Sequence, residues 1–235
     1  MKPRRAGQPL REALAFACGA AAALLFCLAA VVAAASPHHG DGQPTTDVAL
    51  FSAREPVYEP IPAGMYMPMY MQDDVQWGHI DYAGGTIADS GCGLACAAMA
   101  VKATTMQDVT PLTLAEAVGE TCLTDGVNDP EKFAQWISTT YADYGIDVSE
   151  KLYRTEQALR FVDGGWLCFA GLSGTFGDSV YGGHVVLIWH AGDDGYWVRD
   201  PASAANSSRA FTEQELMAVD FRYFVCLRGG NYARN

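Results

Sequence analysis

The sequence predicts an α+β domain, with helices that come first in the chain packed on a mostly antiparallel sheet that follows. Two observations carry this. Between Cys92 and about Tyr144 apolar residues recur at helical spacing, whereas from Trp166 onward they fall in short extended runs separated by turn residues. The folded domain is expected over 75–235, an ordinary single-domain length.

The first helix is the Ala-rich stretch from Cys92 to about residue 104, with Asp89, Ser90 and Gly91 turning and capping the chain before it. Thr110 followed by Pro111 opens a second, because proline's fixed φ and missing N–H suit the first helical position. Asn128, Asp129 and Pro130 open a third. Its Phe133, Trp136, Ile137, Thr140, Tyr141 and Tyr144 keep helical spacing until Gly145 ends it. A short helix follows Thr155. Residues 166–172, 185–191, 196–200 and 221–227 read as strands, and Thr212 caps one more short helix before the last of them.

The N-terminus bears on the compartment. Lys2, Arg4, Arg5 and Arg11 precede an uncharged run over 13–35, which reads as an export signal with small residues, Ala33 to Ala35, before Ser36. The same run is long enough to span a bilayer, so residues 1–35 are either a cleaved signal or a retained anchor. Either way the remainder is expected outside the cytoplasm, extracellular or at the cell surface. Residues 36–74, rich in Pro, Gly, Thr and Met, read as a linker or short pro-segment.

Without residues 1–35 the chain keeps 11 Lys and Arg against 26 Asp and Glu, a formal charge of −15. Such a surface repels phosphate backbones, which argues against a nucleic-acid partner and, unless the anchor is retained, against a membrane. Five cysteines remain: Cys92, Cys96, Cys122, Cys168 and Cys226. If the others pair internally at least one thiol is left over, and no CxxC spacing suggests zinc.

Ser90-Gly91-Cys92-Gly93 sets a thiol between glycines at the start of a predicted helix. There the N–H groups favour the thiolate, the form that attacks carbonyls, and glycine lets a substrate approach the backbone. The same cysteine also fits a buried small hydrophobe or half of a disulfide. Downstream, Gly182-Gly183-His184 begins a strand, and Asp200-Pro201 ends its hairpin partner. A thiol, an imidazole and an orienting carboxylate in these positions are the parts of a nucleophilic triad. His190 is six residues beyond His184, about 20 Å along a strand, and cannot serve the same thiol.

On these residues the chain resembles a papain-like cysteine peptidase of the C39-like family, relatives of the double-glycine leader peptidases. The matching pieces are Gln76-Trp77, TIADSGCG with a following AAMAV, Thr110-Pro111, GGH before apolar residues, and RDP. Leu94 and Ala95 stand where many relatives carry Pro-Thr. The resemblance implies that Cys92 is the nucleophile, His184 the general base, Asp200 the orienter and Gln76 an oxyanion-hole donor beside the Cys92 backbone N–H, with a peptide or protein substrate and no cofactor. Acyl transfer to an amine or thiol, or a surface binding module with this fold, are the alternatives.

The spacing also makes a geometric demand. A two-residue turn at Asp193-Asp194 with regular pairing sets Asp200 opposite Leu187, on the face away from His184. An odd-numbered loop or a bulge is therefore expected between His184 and Asp200. Cys96, one turn after Cys92, is expected to be buried.

Overall fold

The structure, a computed structural model, describes residues 67–229. The expected export segment and the linker up to residue 66 lie outside them. Residues 67–74, read as the end of the linker, pack on the domain. Met67 is fully buried, Gln72 is buried and donates its backbone N–H to the Pro201 carbonyl (2.8 Å), and Tyr70 meets Trp77 edge to face. The packed chain thus begins before the Val75 boundary expected from composition, because this Met- and Tyr-rich stretch gains more by covering the core than by exposure to water.

A small hairpin, β1 (Asp81–Tyr82) and β2 (Gly85–Thr86), leads into the single turn α1 (Ile87–Ser90) and then α2 (Cys92–Thr105). Asp89 and Ser90, expected to be turn residues, are thus helical, and Thr86 caps them in a reciprocal capping box with Asp89. Gly91 ends α1 and starts α2; a Cβ there would collide with the Ile87 carbonyl, so only glycine joins the two so tightly. From Gly93 to Thr105 α2 is buried on every side apart from Lys102, as its run of Ala, Cys and Gly requires of a central helix.

Then come α3 (Pro111–Val118), a second hairpin of β3 (Leu123–Thr124) and β4 (Val127–Asn128), and α4 (Pro130–Thr140). Thr110 and Asp129 cap α3 and α4 as their sequences predict. The helix α4 ends at Thr140; Tyr141 and Tyr144 lie in a tighter turn that closes on Gly145 in the left-handed region.

The remaining elements are β5 (Asp147–Val148), α5 (Thr155–Asp163), β6 (Leu167–Phe176), β7 (Ser179–Gly192), β8 (Gly195–Arg199), α6 (Ala204–Ser207), β9 (Ala210–Phe211), α7 (Glu213–Met217) and β10 (Phe221–Arg228). Six strands form one sheet in the order β5-β10-β6-β7-β8-β9, each pair antiparallel. Strand alternation divides its side chains between two cores. Leu167, Phe169, Leu187 and Val225 face α2, α3 and α4, whereas Ala170, Val186, Ile188 and Phe224 face α5 and α7. Helices therefore cover both faces of the sheet, where the sequence placed the main helical layer on one.

The hairpin β6–β7 runs on through Gly177-Asp178, well beyond the strands read from sequence. Its glycines, among them Gly174, Gly182 and Gly183, lower strand propensity and resemble a loop.

Candidate active site

Cys92 is the first residue of α2, with no side chain capping the helix start. The first N–H groups of a helix lack intrahelical acceptors, so those beside the thiol are directed outward. Cys92 is partly exposed and opens into a cleft of about 330 Å³, whose walls include His184, Asn128, Gly171, Gly182, Gly183 and Tyr223.

His184 is buried, and its Nε2 lies 2.7 Å from Asp200 Oδ1. That leaves Nδ1 for the thiol on the other side. Burial opposes charge on this ring, but the Asp200 hydrogen bond, and after it Cys92, outweigh burial and raise the imidazole pKa to about 9. Asp200 is fully buried. Burial opposes its ionisation too, yet His184, Asn206 and the Ala202 N–H hold it below the ordinary carboxylate range. Four donors converge on its two oxygens: His184 and Ala202 N–H (3.0 Å) on Oδ1, Tyr181 hydroxyl and Asn206 Nδ2 (both 2.9 Å) on Oδ2.

The register of β7 and β8 explains how Asp200 reaches the ring. Gly192 pairs with Gly195 around the two-residue turn, a geometry that by itself would turn Asp200 away. Trp189 is an extra residue between the pairs His190–Trp197 and Ile188–Val198, so Leu187 pairs with Arg199 and Asp200 follows opposite Val186. The bulge restores parity with His184.

Two partners of this pair had escaped the sequence reading. Tyr181 stacks its ring on the His184 imidazole (centroids 4.0 Å apart, planes 14° apart) while its hydroxyl holds Asp200. Burial, with the Asp200 charge adding to it, raises the Tyr181 pKa to about 12, so it remains a donor at neutral pH. Asn206 is buried and links Asp200 to the Phe176 carbonyl.

Gln76, expected as an oxyanion donor, is exposed and absent from the cleft walls; its backbone N–H bonds Asp74. The reason is local: Trp77 takes the inward position of this turn, burying its indole and donating to the Met71 carbonyl, and its neighbour faces solvent. Among the described residues the buried glutamine is Gln72, whose Nε2 donates to the Ala88 carbonyl. The amide beside the thiol belongs to Asn128, with Nδ2 3.9 Å from Cys92 Sγ. It was read only as part of the opening of α4.

All five cysteines of the described residues are free, and all but Cys92 are buried. Cys96 donates to the Val185 carbonyl, and burial raises its pKa well above that of an ordinary thiol.

Gly93 provides a first test. A Cβ there would stand 2.7 Å from Asn128 Cβ and 2.9 Å from its Cγ. Gly93→Ala is expected to cost about 1–3 kcal/mol through overpacking, despite alanine's better helix propensity, read as a lower urea midpoint. An unchanged midpoint would mean that β4 yields freely.

No protein-family model matches the chain, and no curated protein matches it. Among solved structures, one described as a "putative C39-like peptidase" from Bacillus anthracis aligns at a TM-score of 0.43 and 12% identity, over 69% of this chain and 94% of that one.

Proposed function

We propose that the protein is a papain-like cysteine hydrolase that cleaves an amide bond, most simply a peptide bond outside the cytoplasm, with Cys92 as nucleophile, His184 as base and acid, and Asp200 as orienter. The observation that carries this reading is the buried His184–Asp200 pair, whose imidazole shares one cleft with a thiol at a helix start. Asp200 occupies Nε2 and fixes the ring; Nδ1 then exchanges a proton with Cys92.

In the first half-reaction His184 holds the thiol proton, Cys92 Sγ bonds to the carbonyl carbon, and the carbonyl π pair moves onto oxygen. The Cys92 N–H donates to that oxyanion. When the pair returns, the C–N bond breaks and His184 protonates the departing amine. Water, with His184 as base, then releases the acid from the thioester.

A pulse of iodoacetamide at pH 7 tests the nucleophile. Cys92 is expected to carry the label first, with Cys96, Cys122, Cys168 and Cys226 reacting only once the chain unfolds. A peptide map showing another cysteine labelled first would move the nucleophile elsewhere.

A further inference from the structure

We infer that Asn128 is a catalytic residue of this site, its side-chain amide donating a hydrogen bond to the oxyanion formed when Cys92 attacks a carbonyl. The inference rests on the cysteine-hydrolase reading above and adds a residue to it.

The orientation of the amide follows from its neighbours. One Asn128 side-chain atom faces the Ser90 carbonyl, which only accepts, so that atom must be Nδ2. The other, Oδ1, accepts from the buried Tyr82 hydroxyl at 2.9 Å. Nδ2 has two protons, one held by Ser90. The second is left for the side on which Cys92 Sγ lies 3.9 Å away.

A nitrogen at that distance is beyond a strong bond to sulfur. It is well placed for an oxygen on the carbon that bonds to that sulfur, because the oxygen sits one bond beyond the new S–C bond. Asn128 is 8% exposed, so the donor acts where water competes little, and it is held there before any substrate arrives.

Gly93 completes the arrangement. The Asn128 side chain lies across this glycine, close enough that a Cβ at position 93 would overlap it. The glycine after the nucleophile thus makes room for the amide as well as for substrate. Among the described residues the other buried amides do not compete for the role. Neither Gln72, whose Nε2 donates one proton to the Ala88 carbonyl, nor Asn206, which serves Asp200, lines the cleft.

Two probes separate the oxyanion from the thiolate. Iodoacetamide alkylates by displacement at a saturated carbon: the S–C bond forms as iodide leaves, and no oxyanion appears. p-Nitrophenyl acetate acylates through a tetrahedral oxyanion: the S–C bond forms, the π pair moves to oxygen, then returns as p-nitrophenolate departs. On the full-length protein, Asn128→Ala is expected to lower the p-nitrophenyl acetate acylation rate on the order of 10²-fold, while the iodoacetamide rate at Cys92 stays within about threefold.

The alanine variant leaves the Ser90 carbonyl and Tyr82 hydroxyl without their partner. Asn128→Ser is the companion variant if it does not fold: its hydroxyl keeps a donor near Ser90 but lacks the arm that reaches the thiol. The same split between probes is expected of it. Equal loss with both probes, or no loss with the ester, overturns the assignment of Asn128 alone. A p-nitrophenolate burst that persists in Cys92→Ala overturns the underlying nucleophile instead, and the assignment with it.

Discussion

Cys92→Ala is expected to abolish the p-nitrophenolate burst from p-nitrophenyl acetate, a loss of at least about 10⁴-fold, with thermal unfolding nearly unchanged. Nucleophile removal in a cooperating triad costs nearly the whole of the catalysis that the group supplies. The fold has little at stake, because the Cys92 side chain is partly exposed at the edge of the cleft. Cys96→Ala provides the contrast, one turn further along the same helix. That thiol is fully buried against the Val185 carbonyl, so its loss is expected to cost about 1–2 kcal/mol of stability while the burst persists. If Cys96→Ala lost the burst and Cys92→Ala kept it, their roles would be exchanged.

Asp200→Asn is expected to move the alkaline limb of acylation from near pH 9 to clearly lower pH. The Asp200 hydrogen bond is the largest of the effects that raise the His184 pKa, and without the carboxylate only the Cys92 effects remain to oppose the burial that lowers it. At pH 8 His184 with a pKa of about 9 is mostly protonated, and that fraction is expected to fall several-fold in the variant, on the order of tenfold, by titration alone. The carboxylate also accepts from four donors, so an amide nitrogen in either oxygen's place meets two groups that both donate. Breaking such a buried pair costs about 3–5 kcal/mol.

Stability should follow pH through the same pair. His184 has a folded pKa above its unfolded value, so its contribution is complete below about pH 6.5 and is lost as pH rises through about 9. Asp200 has a lowered folded pKa, so its contribution is complete above about pH 4 and is lost as pH falls through the folded value. Urea unfolding of the native protein should therefore give its highest midpoint between about pH 4 and 6.5, and Asp200→Asn should flatten the alkaline decline. An alkaline limb still near pH 9 in that variant would take Asp200 out of the orienting role.

Much of this architecture was legible where local chemistry is strong. Thr110-Pro111, Asp129-Pro130 and Thr212 opened helices because caps act within one turn of chain. An odd-numbered loop or a bulge could be demanded in advance, because strand parity admits two outcomes; the Gly192–Gly195 pairing leaves the bulge. What stayed hidden was assembled from afar. Asn128 reaches Cys92 across 36 positions and Tyr181 reaches Asp200 across 19, and neither separation leaves a periodic mark. Asn128 already had a sufficient explanation in the opening of α4. Gln76 was named on the resemblance, at Gln76-Trp77, yet on an irregular turn only packing decides which side chain goes inward, and the Trp77 indole outweighed the amide.

The contacts that assemble the candidate site differ greatly in chain separation, and this bears on the order in which its parts meet. His184 and Asp200 are 16 positions apart on one hairpin, whereas α2 meets β7 through Cys96 and Val185 across 89. Short loops close readily, and contacts between distant parts of the chain form late. A chain still folding can therefore bring base and carboxylate together while the thiol remains apart from both. On the proposed reading of Cys92 as nucleophile, reactivity is expected to arrive only with that long-range docking.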